Sequence, residues 1–295
     1  MRKEDRIREE VARAYGRAAG GPAAGNCCGG AAPAASGSCC AGPDPKGVAA
    51  RLAGYREEVA GLPADAVEHS FGCGNPLAFS EVREGDVILD LGSGAGLDLL
   101  IAARKVGPRG RVIGVDMTDE MIGKARANLA AGGVTNAEVR KGLIEELPVE
   151  SSSVDWVISN CVINLSPEKP RVFAEIARVL KPGGRMIVSD IVADGLPEWV
   201  LRIPELRCAC VTGAISEREY VAGLRAAGLE EVEVRARLPF EEAQLREMTA
   251  SDMVCADPGA ASWLESHGKE TMERIAGELA GKVASISVHA RKPAR

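Results

Sequence analysis

The sequence predicts an α/β fold, a mostly parallel sheet with helices on both faces. From Glu84 onward, short apolar runs alternate with amphipathic stretches, as in strands joined by crossover helices. The runs VILDLG (87–92) and RVIGVD (111–116) are apolar almost throughout, as strands covered on both faces must be. Glycine-rich segments punctuate the passages between elements.

The elements follow in order. After VILDLG come glycines and then LDLLIAARKV, a helix. RVIGVD is the second strand. Thr118 can cap the next helix, DEMIGKARANLAA, which Gly132 and Gly133 end. AEVRKG (137–142) and VDWVIS (154–159) are strands. A helix over 168–180 stops at Lys181-Pro182-Gly183-Gly184, a turn before the strand RMIVSDIV (185–192). Asp190 ends that strand region and reads as a capping or loop residue. Residues 195–215 break the rhythm as an insertion. A helix (216–227) and a strand (231–236) resume it, 240–280 is mostly helical, and ASISVHA (284–290) alternates like a closing strand.

Upstream, Ile7, Val11 and Ala14 sit at helical spacing in a short amphipathic helix over 3–15. Residues 16–47 are rich in Gly, Ala, Pro and Ser and carry Cys27, Cys28, Cys39 and Cys40. That composition buries little and predicts a mobile loop. Residues 51–70 read as a short helix and a turn. Three regions result: 1–70, a helix and Cys-rich segment; 71–236, the main domain; and 237–295, a C-terminal extension.

Bulk properties narrow the function. The chain has 295 residues, 46% of them hydrophobic, a net charge of −6 and 3% aromatics. Nucleic-acid binding wants a positive face and stacking rings, so it is not expected. No apolar run approaches the roughly 20 residues of a membrane helix. The charged N-terminus lacks the apolar core of a secretory signal, so a cytoplasmic location is expected. Thiols stay reduced there, and nine cysteines call for a reading other than a disulfide framework.

Asp90-Leu91-Gly92-Ser93-Gly94-Ala95-Gly96 lies between a strand and a helix. Glycines allow a sharp turn and close approach of a ligand. Asp116 ends the next strand, where a carboxylate can bind ribose hydroxyls. Dinucleotide loops read G-x-G-x-x-G. The spacing here is G-x-G-x-G with Asp90 before it, which resembles motif I of the class I, Rossmann-like methyltransferases. That resemblance implies S-adenosylmethionine as cofactor. Met117 would lie against the adenine. Val154–Asn160 matches the fourth-strand motif, which adds Asn160 to the cofactor site. Many relatives carry an acidic residue after Lys141-Gly142. Leu143 and Ile144 stand there instead, so backbone groups would read the adenine, or Glu145 would serve. His69, His267 and His289 show no ligand or dyad spacing and read as surface or satisfied residues.

Cys161 follows the fourth strand, and ligands of open α/β sheets bind outside the carboxyl ends of strands. Its other reading is a small buried apolar residue. The segments FGCGNP (71–76), VILDLGSGAGL (87–97), VIGVDMTDEMI (112–122), SNCVINLSPEK (159–169) and CVTGA (210–214) together resemble the arsenite S-adenosylmethionine methyltransferases of bacteria and archaea. The resemblance implies arsenic(III) ligands at Cys73, Cys161 and Cys210, the last within the insertion. A further thiol belongs to the Cys-rich segment, with Cys39 or Cys40 nearest in sequence. It also implies arsenite and then methylarsenite as substrates, a thiol reductant (glutathione or thioredoxin), and arsenic detoxification. Two rivals stay open: methylation of an organic small molecule with Cys161 as packing, and a thiol-rich zinc protein. Structural zinc favours C-x₂-C pairs, and Cys208-x-Cys210 is one residue too short.

A loop holding four thiols could capture arsenite and pass it on by thiolate exchange. Changing Cys27, Cys28, Cys39 and Cys40 together to Ser is therefore expected to leave folding and cofactor binding intact. Arsenite methylation should fall at limiting arsenite, while methylarsenite, which needs only two protein thiolates, should be less affected. Rates on both substrates over a concentration series test this, and equal retention of both would leave the loop thiols without a catalytic role.

Overall fold

The alternating apolar runs fold into seven strands: β1 (Val87–Leu91), β2 (Arg111–Asp116), β3 (Ala137–Lys141), β4 (Val154–Asn160), β5 (Leu180–Ala193), β6 (Glu230–Pro239) and β7 (Val283–Arg291). They form one sheet in the order β3-β2-β1-β4-β5-β7-β6. β1 to β5 pair in parallel, and β7 runs antiparallel between β5 and β6. The computed structural model describes residues 2–20, 50, 53–201, 210–243, 245, 271 and 273–295. Cys27, Cys28, Cys39, Cys40, Cys208, Cys255 and His267 lie outside the described residues, as does most of the helical stretch expected over 240–280.

The main described helices are α1 (Lys3–Gly20), α2 (Ala64–Glu68), α3 (Leu97–Val106), α4 (Asp119–Ala131), α5 (Lys169–Val179) and α6 (Glu217–Ala226), with a single turn at Glu198–Leu201 and further helical residues over 273–279. Successive side chains of a strand point to opposite faces, which divides the core in two. Ile88, Val112 and Ile158 join Leu99 and Leu100 of α3 and Ala125 and Leu129 of α4. Leu89, Leu91 and Val157 join Phe173 and Ile176 of α5 and Tyr220 and Leu224 of α6. Both faces are thereby covered, which is why the strands read as near-continuous apolar runs.

Several local expectations change. α1 runs to Gly20 rather than ending near residue 15, because alanines extend it and Ala19 is buried along with Ile7, Val11 and Ala14. Thr118 stands at the N-cap of α4, but its side chain makes no cap hydrogen bond. The strand assignment of β5 begins at Leu180, ahead of the expected turn. The glycine-rich segment is a bulge: Leu180 pairs with Val154 and Arg185 with Trp156, so four residues stand opposite Asp155 alone. Within 53–70, residues 57–59 form a 3-10 turn ahead of the five-residue α2. His289 is buried in β7 with its ring edge-on to Trp156, not a surface residue.

Asp190 is the largest departure. It lies inside β5, fully buried, rather than in a loop. Its Oδ1 accepts from Asn164 Nδ2 at 2.8 Å and from Ile191 N at 2.9 Å, and Tyr220 OH donates to Oδ2 at 3.3 Å. These partners offset the cost of burying a polar group. Burial nonetheless pushes its carboxyl up to about 7, above the unfolded value of about 3.9. The fold therefore favours the protonated form. The stability this lends is present in full below about pH 4 and is lost as pH rises through about 7. Thermal unfolding of the wild type should accordingly shift to lower temperature between pH 5 and 8. Asp190→Asn should flatten that slope by up to about one proton's worth, about 1.4 kcal/mol per pH unit. Asp98, pushed up to about 6, contributes in the same sense, so some slope should remain. Melting curves across this range test the assignment, and an unchanged slope in Asp190→Asn would contradict it.

Candidate active site

The chain leaves β1 toward β2 on one side of the sheet and returns to β4 on the other. This switch point opens a crevice at the carboxyl ends of the strands. A pocket lies there, walled by Asp90, Gly92, Ser93, Gly94, Asp116, Met117, Leu143, Ile144, Asn160 and Cys161 among others. Gly96 does not line it. That residue caps α3 with φ +89° and donates from its N to Ser93 O. Gly92 has φ +67°, and a Cβ there would lie 2.4 Å from Val162 on the facing wall. The turn thus needs glycine for both conformation and space.

Asp116 does two things at the end of β2. Its Oδ2 accepts from Gly94 N at 2.9 Å and its Oδ1 from Thr118 N at 2.9 Å. The carboxylate therefore ties the glycine loop to the second strand, and each oxygen keeps acceptor capacity for a ligand. Burial raises its pKa. Asp90 is buried, with Oδ2 lacking any hydrogen-bond partner, and the Ser93 hydroxyl is likewise unpartnered. Burial and the neighbouring carboxylates Asp98 and Asp116 hold Asp90 well above the usual carboxylate range. Orphaned polar atoms on residues that line a pocket fit a ligand that brings donors and positive charge. S-adenosylmethionine, with ribose hydroxyls, an ammonium and a sulfonium, brings both.

Several wall residues have no counterpart in the sequence-based site. Arg8, Val11 and Tyr15 of α1 close one side. Arg8 Nε donates to Glu145 Oε1 at 3.2 Å, and Arg8 also pairs with Glu168. Glu145, only 5% exposed, accepts from Ser166 Oγ at 2.6 Å as well. Its carboxylate thus already serves Arg8 and Ser166. Tyr15 stacks edge-on to Phe71 at 5.8 Å. Asp98 of α3 also lines the pocket. Its position two residues beyond the glycine loop, in an otherwise apolar LDLLIAA run, was a usable signal. Arg8 carried none, since it sits in a run of alternating charge.

The three cysteines converge on the pocket edge. Cys161 is in its wall. Cys210 is buried, and its Sγ donates to Cys161 O at 3.0 Å. Cys161 and Cys210 both have φ +59°, a left-handed conformation that costs a non-glycine residue about 1–3 kcal/mol. Such strain persists only where surrounding structure imposes it. Separate thiols were expected, but Cys73 and Cys161 are joined in a disulfide across 88 residues, their Cα atoms 5.7 Å apart. The cause is proximity: Asn160 binds the Cys73 turn, bringing the two sulfurs within bonding reach. In this state the triad is not assembled, and among the described residues no group of three or more His, Cys, Asp or Glu is arranged to hold a metal ion. Cys39 and Cys40 lie outside the described residues.

The described helices include none long and apolar enough to cross a membrane. Residues 83–274 match the family model of a methyltransferase domain. An arsenite methyltransferase from Halobacterium salinarum is 50% identical over 182 residues, 61% of this chain and 46% of that protein. The chain thus spans about half the length of the relative it matches. A nocamycin O-methyltransferase from Saccharothrix syringae is 30% identical over 72% of this chain and 82% of its own length. The crystal structure of an arsenic(III) S-adenosylmethionine methyltransferase from Chlamydomonas reinhardtii superposes with a TM-score of 0.62 at 32% identity, covering 81% of this chain and 72% of that one. The chain belongs to the methyltransferase-domain family, with the class I S-adenosylmethionine methyltransferase fold and homology to the arsenite methyltransferases.

Proposed function

We propose that the protein transfers a methyl group from S-adenosylmethionine to trivalent arsenic held by Cys73, Cys161 and Cys210, with arsenite and then methylarsenite as substrates, in arsenic detoxification. One observation carries the reading: Cys161 stands in the wall of the pocket that the glycine loop and Asp116 also line. Gly92, Ser93, Gly94, Asp116 and Met117 would hold the adenosine, Leu143 and Ile144 would offer backbone groups to the adenine, and Asp90 would face the amino-acid end. The cofactor supplies an electrophilic methyl group on a sulfonium.

Soft thiolates suit a thiophilic centre, and three of them leave the arsenic lone pair free. That lone pair forms the new As–C bond while the electrons of the S–C bond leave with sulfur. No proton is removed, so no general base is required. The protein's task is in-line positioning, a major source of rate when reacting atoms are held in line. The left-handed backbone at Cys161 and Cys210 suits rigid placement of the thiolates. Arsenic gives up two electrons formally in the transfer, and recovery of the trivalent state consumes two. Two thiolates becoming a disulfide supply them, and Cys73–Cys161 is such a disulfide. A thiol reductant, glutathione or thioredoxin, must then regenerate the pair. The rival reading, an organic methyl acceptor, draws on the likeness to the nocamycin O-methyltransferase over 82% of its length.

Purified, reduced protein with labelled S-adenosylmethionine, arsenite and a thiol decides between them once the arsenic products are separated. Label in methylated arsenic is expected, and none there would overturn the reading. Asp116→Ala should weaken cofactor binding by about 1.5–3 kcal/mol, because the ribose loses a charged acceptor and the glycine loop its tether. Titration calorimetry checks this, and unchanged affinity would remove Asp116 from the site. Cys161→Ser and Cys210→Ser should lose arsenic methylation while keeping cofactor affinity. Either variant working at the normal rate would show that its cysteine is not a ligand.

A further inference from the structure

Cys210 reaches the pocket edge on a short turn over 210–214, in which Ala214 N donates to Val211 O at 3.1 Å. Two contacts join this turn to the segment that leaves β4. The Cys210 thiol donates to Cys161 O at 3.0 Å. Three residues further along both stretches, Gly213 packs on Asn164 O so closely that a Cβ on Gly213 would come 2.2 Å from that oxygen. Gly213 is not among the glycines with positive φ, so the position needs glycine for space alone. The contact is one of packing. Asn164 Oδ1 and Thr212 Oγ1 are both buried without a hydrogen-bond partner, and Asn164 Nδ2 is directed to β5. No side-chain hydrogen bond therefore ties Asn164 to the turn, and van der Waals contact sets their separation.

The Asn164 side of the contact is fixed. Its Nδ2 donates to Asp190 Oδ1 at 2.8 Å and to Ile191 O at 2.5 Å, both in β5. Lys169 Nζ donates to Asn164 O at 3.2 Å and to Ser166 O at 3.0 Å. Upstream, Cys161 N donates to Ser189 O of β5 at 2.8 Å. Asn164 is 1% exposed and Asp190 fully buried, so moving Asn164 off β5 would strand polar groups in the interior. Under steric pressure at this contact, the 210–214 turn is the side that gives way.

We propose that Asn164, anchored to β5 through Asp190, and Gly213, packed against its carbonyl, are positioning residues that hold the Cys210 sulfur beside Cys161 as one ligand of a three-sulfur arsenic site. The inference rests on the arsenic reading of the pocket. Neither residue touches arsenic in this scheme. Each acts through the distance between the two cysteine-bearing segments.

Gly213→Ala adds one methyl group at this contact. Its carbon would stand 2.2 Å from Asn164 O, against roughly 3.5 Å for an unstrained contact, so the turn must move off by about 1 Å. X-ray absorption on reduced protein with arsenite and S-adenosylhomocysteine should give three sulfur neighbours in the wild type and two in Gly213→Ala. The kcat for arsenite methylation should fall by about tenfold to a hundredfold, the cost of a misplacement of this size. Calorimetric affinity for S-adenosylhomocysteine should stay that of the wild type. A residue that merely supported the fold would leave the sulfur count at three, and that count in Gly213→Ala would overturn the proposal.

Asn164→Ala reads the fixed side independently. Without the grip on β5, kcat should again fall while cofactor affinity holds. In that background, adding Gly213→Ala should cost much less than it does alone, because the β4 segment can now yield. A wild-type kcat in Asn164→Ala, or losses that simply multiply in the double variant, would overturn the proposal. A wild type lacking the three-sulfur shell would overturn the arsenic reading and this inference with it. An intact shell in both the wild type and Gly213→Ala would overturn the inference alone.

Discussion

The carboxyl ends of β1 and β4 lie side by side because the chain crosses to opposite sides of the sheet from this pair. The glycine loop leaves one of them, and Asn160 and Cys161 leave the other. Neither segment alone makes a site. Their adjacency depends on parallel pairing in register, with Asp90 opposite Ile158 and Leu91 opposite Ser159. A one-residue slip would turn every side chain of a strand to the other face, and Asp90 would leave the pocket. The two apolar layers that cover the sheet hold this register, so the core exists in service of one edge.

On that edge, charge and backbone strain are both concentrated. Asp90, Asp98 and Asp116 are all buried at the pocket, and burial raises the pKa of each. Among the described residues four non-glycines have positive φ, and two of them are Cys161 and Cys210, joined by a hydrogen bond from the Cys210 thiol to the Cys161 carbonyl. Unfavourable local terms of this kind are held by favourable packing elsewhere. The same scaffold would serve an organic methyl acceptor equally well, and the cysteines are what separate the arsenic reading from that one.

Much of this was legible in the sequence. Strong apolar runs located β1, β2, β4 and β7 to within a residue or so, because strands buried on both faces or alternating cleanly leave a dense signal. The glycine loop, Asp116 and Cys161 were found because each is tied to the end of a strand. What escaped was set by distant partners. Arg8 reads as a solvated charge, yet it meets Glu145 and Glu168 at separations of 137 and 160 residues. Asp190 reads as a strand end because its partners Asn164 and Tyr220 come from other elements. The pairing of Cys73 with Cys161 follows from the Asn160 contacts to the Cys73 turn, which no spacing rule encodes.

On the proposed reading, the thiols gathered at this edge hold arsenic beside the methyl donor. X-ray absorption at the arsenic edge, on reduced protein loaded with arsenite and S-adenosylhomocysteine, tests it most directly. A shell of three sulfur neighbours is expected, losing one sulfur in Cys210→Ser. A shell dominated by oxygen, or one unchanged by that substitution, would contradict it.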